Sequence, residues 1–324
     1  MKKRTHSLLS PADTIAIAAP ASCVSKIQFE KIKKFFKQKN IPILYKQEVI
    51  KPLPASKRAE IFLSYLKNPN VKLIWALRGG EGSADIIPFL EKKLNRRGNS
   101  HIAHLNHQTK SLVGFSDITA LLIYLSQRFH LPVIHGAVAR QLALKEVNAK
   151  TSQLTLDYLF KNKCIYLNDL KPFNAAAKKI KTIRAKIIGG NLSLIEISIK
   201  DVWEIKAKNK ILFLEDVHET PHAIFRTLKY LKRIGAFDSI RALIFGEFIG
   251  ELKKQRTKNQ RSAIQKVLKT FAQECAFPVL QTHLIGHGKN NYPIAFSTAQ
   301  LTLAGNRAFL SVWQNSQFIF LEKT

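Results

Sequence analysis

Between Thr14 and about Val138, short apolar runs alternate with segments whose apolar residues recur every three or four positions, and this alternation restricts the first half of the chain to one kind of fold. Residues 14–19, 43–45, 72–77, 111–114 and 133–135 read as strands. Between them, 25–39 offers Ile27, Ile32, Phe35 and Phe36 to an inner face, and 56–67 offers Ala59, Ile61 or Phe62, Tyr65 and Leu66. Strands that alternate with helices predict a parallel sheet covered by helices, because parallel neighbours need long crossover connections. In open sheets of this kind, sites lie beyond the carboxyl ends of the strands. Three such ends carry candidate residues: Ala19-Pro20 after the first strand, Arg78-Gly79-Gly80-Glu81-Gly82-Ser83 after the third, and Ser116 after the fourth.

The alternation is lost from about Gln141 to Ala185, and the chain becomes lysine-rich around 171–181, as a connection between domains would be. A second domain begins with 185–190. It holds a strand at 210–214 ending in Glu215-Asp216, a helix through Ile224, Leu228, Leu231 and Ile234, a strand at 242–245 and a helix at 261–275. The run 279–284 then leads into Ile285-Gly286-His287-Gly288, and 298–303, 308–313 and 317–321 predict a small antiparallel sheet. The expected organisation is an N-terminal α/β domain over 1–142, a linker over 143–182, and a mixed α/β domain over 183–324 with a small sheet or barrel.

Lys and Arg number 52 against 22 Asp and Glu, a formal charge of +30 that attracts nucleic acid, anionic lipid or an acidic polymer such as cell-wall glycan. The basic residues are scattered, and no helix-turn-helix, zinc-finger or RNA-binding signature accompanies them, so most read as solvated faces. A nucleic-acid- or phosphate-binding protein is the non-catalytic alternative. Cys23, Cys164 and Cys275 are odd in number and far apart, which fits a reducing, cytoplasmic compartment, and none has metal-ligand spacing. A basic head and an apolar run before Cys23 imitate a lipoprotein leader, but Pro11 and Asp13 interrupt the run, so a first strand is expected there. No window approaches the ~20 apolar residues of a membrane span, and no membrane partner is expected.

Ser116 stands at a corner between an apolar strand and a helix whose inner face is Ile118, Leu121, Leu122, Leu125 and Phe129. A serine so placed is lifted towards solvent beside unpaired helix N–H groups, where a nucleophile would sit; an ordinary helix N-cap has the same local pattern. The second glycine of a G-x-S-x-G elbow is absent. The 78–83 loop lets backbone N–H groups approach an anion closely, although it is neither a Walker loop nor G-x-G-x-x-G. Glu215 ends the apolar strand Ile211-Leu212-Phe213-Leu214, where a carboxylate is costly unless paired; Asp216 and Glu219 follow, and chemistry alone leaves the choice among the three open. His287 lies between two glycines that let its ring enter a crowded cleft. His283 is four residues earlier, but the intervening Gly286 argues against a zinc-binding helix, so no metal or cofactor is expected. Serine, glutamate and histidine in this order permit an acyl-transfer triad, whose members meet only in the fold.

Several stretches together resemble one family, the LD-carboxypeptidases, which are muramoyl-tetrapeptide carboxypeptidases. They are DTIAIAAP at 13–20, KLIWALRGG at 72–80, GFSDITAL at 114–121, GGNLSL at 189–194, ILFLEDVHE at 211–219, GEF at 246–248 and IGHG at 285–288, in family order over nearly the whole chain. The resemblance implies a flavodoxin-like N-terminal domain carrying the nucleophile and a C-terminal domain carrying the acid and the histidine, usually as a homodimer. The residues that match are Ser116, Glu215 and His287, which narrows the three acids to Glu215. It also implies an oxyanion hole of backbone N–H groups from Gly80 or its neighbour and Asp117. Arg78, Arg226 and Lys289 are candidates to read a substrate carboxylate, and Glu81 and Asn191 complete the expected substrate-binding set. The sequence departs from the family pattern at Glu81, where a tyrosine is common, at Ala21, where a serine usually follows Ala-Pro, and after Leu194, where Gly-Thr-Pro is missing. The implied function is a metal-independent serine carboxypeptidase that releases terminal D-alanine from murein tetrapeptide. A microcin-immunity-type hydrolase of peptidyl-adenylate toxins is the alternative within the family.

Overall fold

A computed structural model describes residues 8–10, 12–94, 110–161, 163–250, 257–304 and 307–313. The expected strand at 317–321 and the basic stretches at 95–97 and 252–256 lie outside these residues.

The first half forms strands β1 (Thr14–Ala18), β2 (Ile43–Leu44), β3 (Val71–Ala76), β4 (Ser111–Gly114) and β5 (Val133–His135). They pair in parallel in the order β2-β1-β3-β4-β5, the flavodoxin-like order. Helix Lys26–Gln38 starts at a capping box in which Ser25 and Gln28 each accept the other's backbone N–H at 3.3 Å. It buries Phe29, Ile32 and Phe36, while Ile27 is 72% exposed. Phe29 therefore takes the inward place expected for Ile27, because the 29–32–36 spacing is the one that keeps to a single stripe. Helices Ala55–Lys67, Ile87–Leu94 and Thr119–Arg128 cover the sheet further.

In the second half, β6 (Ile165–Pro172), β7 (Thr182–Asn191), β8 (Ile211–Val217), β9 (Ala242–Ile249), β10 (Val279–Gly286), β12 (Thr298–Ala304) and β13 (Arg307–Val312) close a barrel in the order β10-β6-β13-β12-β7-β8-β9. The strands from β7 to β10 run parallel, and the remaining pairs are antiparallel, so the strands expected in the second half and the expected antiparallel sheet at 298–313 are one closed surface. Closure leaves no sheet edge exposed. Residues 143–182, expected as a linker, hold helix Ala149–Lys161, helix Ala175–Lys178 and β6. β6 buries Ile165, Leu167 and Leu170 and turns Tyr166, Asn168 and Lys171 outward, so it reads as half polar.

A short strand, β11 (Ile294–Ala295), leaves the second half and adds antiparallel to β5, pairing Ile294 with His135. The two halves are also joined where the Asn191 N–H donates to Thr119 Oγ1 at 3.1 Å. Among the described residues, no helix is long and apolar enough to cross a membrane.

Candidate active site

Ser116 lies one residue beyond β4, after Phe115, and begins a short 3-10 turn, Ser116–Ile118, that leads into helix Thr119–Arg128. Its φ is +62°, a left-handed conformation that a non-glycine residue adopts only when the surroundings impose it. The strain turns the serine out of the strand-to-helix corner. The missing elbow glycine is compensated from another loop: a Cβ added at Gly79 would lie 3.0 Å from Ser116 Cβ and 3.2 Å from its Oγ. The clearance a tight elbow needs is thus supplied by the loop after β3.

His287 comes from just beyond β10. Between Gln281, paired with Phe245, and Gly286, paired with Glu247, β10 carries four residues against the single Gly246 of β9. This outward excursion swings the strand end towards β4. Asp169 of β6 fastens it by accepting the His283 N–H at 3.1 Å and the Thr282 hydroxyl. His283 Nδ1 pairs with Glu247 Oε2 at 2.6 Å, so it is occupied away from His287. A Cβ at Gly246 would lie 2.7 Å from the Ile285 carbonyl and 3.1 Å from Glu215 Cβ, so a glycine is required there.

These elements bring Ser116, His287 and Glu215 together. His287 Nε2 is 2.9 Å from Ser116 Oγ, and His287 Nδ1 is 2.6 Å from Glu215 Oε2. Phe115 packs behind the imidazole with ring centroids 4.7 Å apart. Glu215 is wholly buried. Burial pushes its pKa up, but the charge and hydrogen bond of His287, with the His135 ring close by, outweigh this and hold it below the ordinary carboxylate range. Burial likewise lowers the pKa of His287, and the Glu215 carboxylate more than offsets it, so the ring titrates above 6.5. Asp216 points the other way: burial and repulsion from Glu215 push it up to about 6. It accepts from Asn191 Nδ2 at 2.7 Å and from Ser193 Oγ at 2.7 Å, which makes it part of the framework.

The 78–83 loop and the Ser116 turn are bound to one another. Asp117 accepts the Ser83 N–H at 2.8 Å on its carboxylate and the Ser83 hydroxyl on its carbonyl. Gly80 has φ +109°, and a Cβ there would collide with Ser22 Oγ, which accepts the Glu81 N–H at 3.3 Å. Ser22 therefore meets the glycine loop despite standing one place later than the family serine. A cavity of about 740 Å³ opens beside this loop, lined by Pro20, Ser22, Arg58, Gly80, Glu81 and Asp117 among others. Arg58, 12% exposed, escaped sequence analysis because a lone arginine in a helix gives no signal. Its guanidinium donates to the carbonyls of Leu53, Pro20 and Gly82, the last at 2.8 Å, and so ties the loops after β1 and β3 together.

The expected substrate-binding residues are dispersed. Arg78 is half-buried, its Nη1 3.4 Å from the Cys23 carbonyl and its Nε without a hydrogen bond. Glu81 is exposed at the cavity mouth. Asn191 is buried, donates to Asp216 and accepts the Leu194 N–H at 3.1 Å. Arg226 is exposed on helix Pro221–Arg233, whose inner face is Ile224, Thr227, Leu228 and Leu231, and Lys289 is exposed after His287.

A strained serine hydrogen-bonded to an imidazole, itself held by a buried carboxylate, is an arrangement suited to acyl transfer. Models of the LD-carboxypeptidase N-terminal and C-terminal domains match residues 15–136 and 184–301. The chain belongs to the LD-carboxypeptidase family, a family of peptidases. It is 37% identical over 227 residues to a Rickettsia conorii protein named "Putative carboxypeptidase", an alignment spanning 70% of this chain and 66% of that one, about two thirds of its length. It is 27% identical over 244 residues to the murein tetrapeptide carboxypeptidase of Pseudomonas aeruginosa, covering 74% of each. The fold is shared with the crystal structure of muramoyltetrapeptide carboxypeptidase from Oxalobacter formigenes, at a TM-score of 0.75 and 21% identity over 92% of this chain and 99% of that one.

Proposed function

We propose that this protein is a serine carboxypeptidase acting on murein tetrapeptide, cleaving the bond between the L-configured centre of a diamino acid and the terminal D-alanine. The observation that carries the reading is the continuous chain from Ser116 Oγ through His287 to buried Glu215, at 2.9 and 2.6 Å. Ser116 Oγ attacks the carbonyl carbon as its proton passes to His287 Nε2, and Glu215 holds the ring in the tautomer that can accept it. The N–H groups of Gly80 and Asp117, on loops bound together through Ser83, stabilise the oxyanion. His287 then protonates the leaving amine of D-alanine as the C–N bond breaks, and water hydrolyses the acyl-serine by the same route in reverse. Arg78, two residues before Gly80, supplies the positive charge that reads the substrate carboxylate.

Nucleobase recognition, required of a microcin-immunity-type hydrolase, calls for an exposed ring on which to stack. Among the described cavity-lining residues the one aromatic is Phe62, which is 1% exposed. The likeness to the murein tetrapeptide carboxypeptidase of Pseudomonas aeruginosa supports the murein reading.

Release of D-alanine from the tetrapeptide by the wild type and by Ser116→Ala tests the assignment. Loss of at least about 10³-fold in the variant is expected; equal activity would refute it. Turnover of a peptidyl-adenylate in place of tetrapeptide would move the protein to the other branch. Salt-sensitive DNA binding without hydrolysis of either substrate would favour the non-catalytic alternative.

A further inference from the structure

The mechanism above uses one oxygen of Glu215. The other, Oε1, is buried and makes no hydrogen bond, and 3.8 Å from it stands Nε2 of His135. His135 is the last residue of β5 and is 0% exposed, with neither ring nitrogen hydrogen-bonded. Its ring is walled by Phe213 at 4.9 Å and Phe115 at 5.8 Å, both nearly edge-on. An imidazole in such dry surroundings costs free energy that a phenylalanine or leucine of similar size would avoid, unless its polar edge has a partner. The titratable groups around it are Glu215 on β8 and, across Phe115, His287 beyond β10.

We propose that His135 is a positioning residue for the catalytic carboxylate: its Nε2–H is directed at Glu215 Oε1 and holds the carboxylate plane so that Oε2 faces His287. The proposal rests on the Ser116–His287–Glu215 reading. With the proton on Nε2, only a lone pair at Nδ1 lacks a partner, which costs less than a stranded N–H. The gap closes to a hydrogen bond of about 2.9 Å with a shift of about 1 Å, of the kind that catalytic contacts undergo when a substrate fills the cleft. Glu215 is thus gripped from both sides, by an imidazole from the barrel and another from the parallel sheet. Because His135 pairs with Ile294 on the strand following the His287 loop, the same backbone ladder that adds β11 to the sheet sets the distance between the two imidazoles.

The test uses a fluorophosphonate probe of Ser116, which needs no peptide, alongside tetrapeptide kinetics and NMR. His135→Phe is expected to slow Ser116 acylation by about tenfold or more. It leaves KM for the tetrapeptide within about twofold and moves the downfield Nδ1–H proton resonance of His287. His135→Gln, whose amide N–H can reach Oε1, recovers part of the rate. Wild-type acylation in His135→Phe, or slowed acylation with the His287 resonance unmoved, would overturn the proposal. Nitrogen-15 NMR of the wild type gives a test that no variant's folding can obscure: the Nε2–H tautomer of His135 is expected, and the Nδ1–H tautomer refutes the proposal. Probe labelling that depends on His135 in a protein that does not cleave tetrapeptide would leave the positioning role standing and remove the substrate assignment. Failure of the probe to label Ser116 would remove the catalytic reading on which the proposal rests.

Discussion

Glu215 and Asp216 are adjacent carboxylates at one strand end, yet their environments drive them apart. Glu215 faces imidazoles and stays ionised, whereas Asp216 is pushed up to about 6 by burial and by the Glu215 charge, despite its amide and hydroxyl donors. This difference assigns the charge that raises the pKa of His287. Below that raised value the ring is protonated and cannot take the serine proton. The acid limb of the kcat/KM profile for tetrapeptide hydrolysis should therefore lie above pH 6.5 and activity should rise through it. In Glu215→Gln the charge is gone, so the limb should move to lower pH while kcat falls by roughly 10³- to 10⁴-fold, because the ring loses its tautomeric anchor. A limb that stays in place would show that Glu215 does not set the base.

The local pattern around Ser116 was equally that of a helix cap. In the structure no side-chain cap bond is made there; the residue stands at φ +62° with its hydroxyl on His287. Sequence could not distinguish the two because both use a serine before a helix, and only the histidine that meets it differs.

At the level of elements, the proposed nucleophile and oxyanion donors stand beyond the ends of β3 and β4, beside the end of β1, as a parallel sheet of this order favours. The loops meet there through groups with no sequence signature: Arg58 on the carbonyls after β1 and β3, and Ser83 on Asp117. Gly80 is the point at which the loop cannot carry a side chain, since its φ is +109° and Ser22 occupies the Cβ position. Gly80→Ala should displace the loop's N–H groups and lower kcat by about 10²-fold, the loss typical of one oxyanion donor, with a smaller change in KM. Unchanged kcat in single-turnover measurements would remove the 78–83 loop from the oxyanion site. The expected strands 111–114 and 133–135 coincide with β4 and β5, because those runs are apolar on both faces and bounded by turns. β6 was missed because one of its faces is polar and lysine-bearing, and β11 because two residues carry no periodicity.

Across the whole molecule, the proposed catalysis depends on how the two halves seat against each other, because Ser116 lies on one and Glu215 and His287 on the other. Gly190 lies in the seam at φ +146°, where a Cβ would come within 2.6 Å of the Thr119 side chain, three residues after the nucleophile. Gly190→Ala should separate the halves slightly and reduce kcat by about tenfold or more while the protein stays folded, as circular dichroism and tetrapeptide kinetics would show. Full activity in that variant would mean that the seam tolerates movement.

The sequence by itself determined the parallel α/β half, the residues at its strand ends, and the family through motifs spread along nearly the whole chain, because apolar periodicity and local turn chemistry are properties of neighbouring residues. Only the tertiary structure decided that the second half closes as a single barrel, that residues 143–182 supply one of its staves, and that β11 crosses back to the first sheet. It alone brought Gly79 under Ser116, Arg58 between two loops, and His135 to the far oxygen of Glu215. Those contacts join residues tens of positions apart, and a distance in space between such residues follows from packing, not from spacing along the chain.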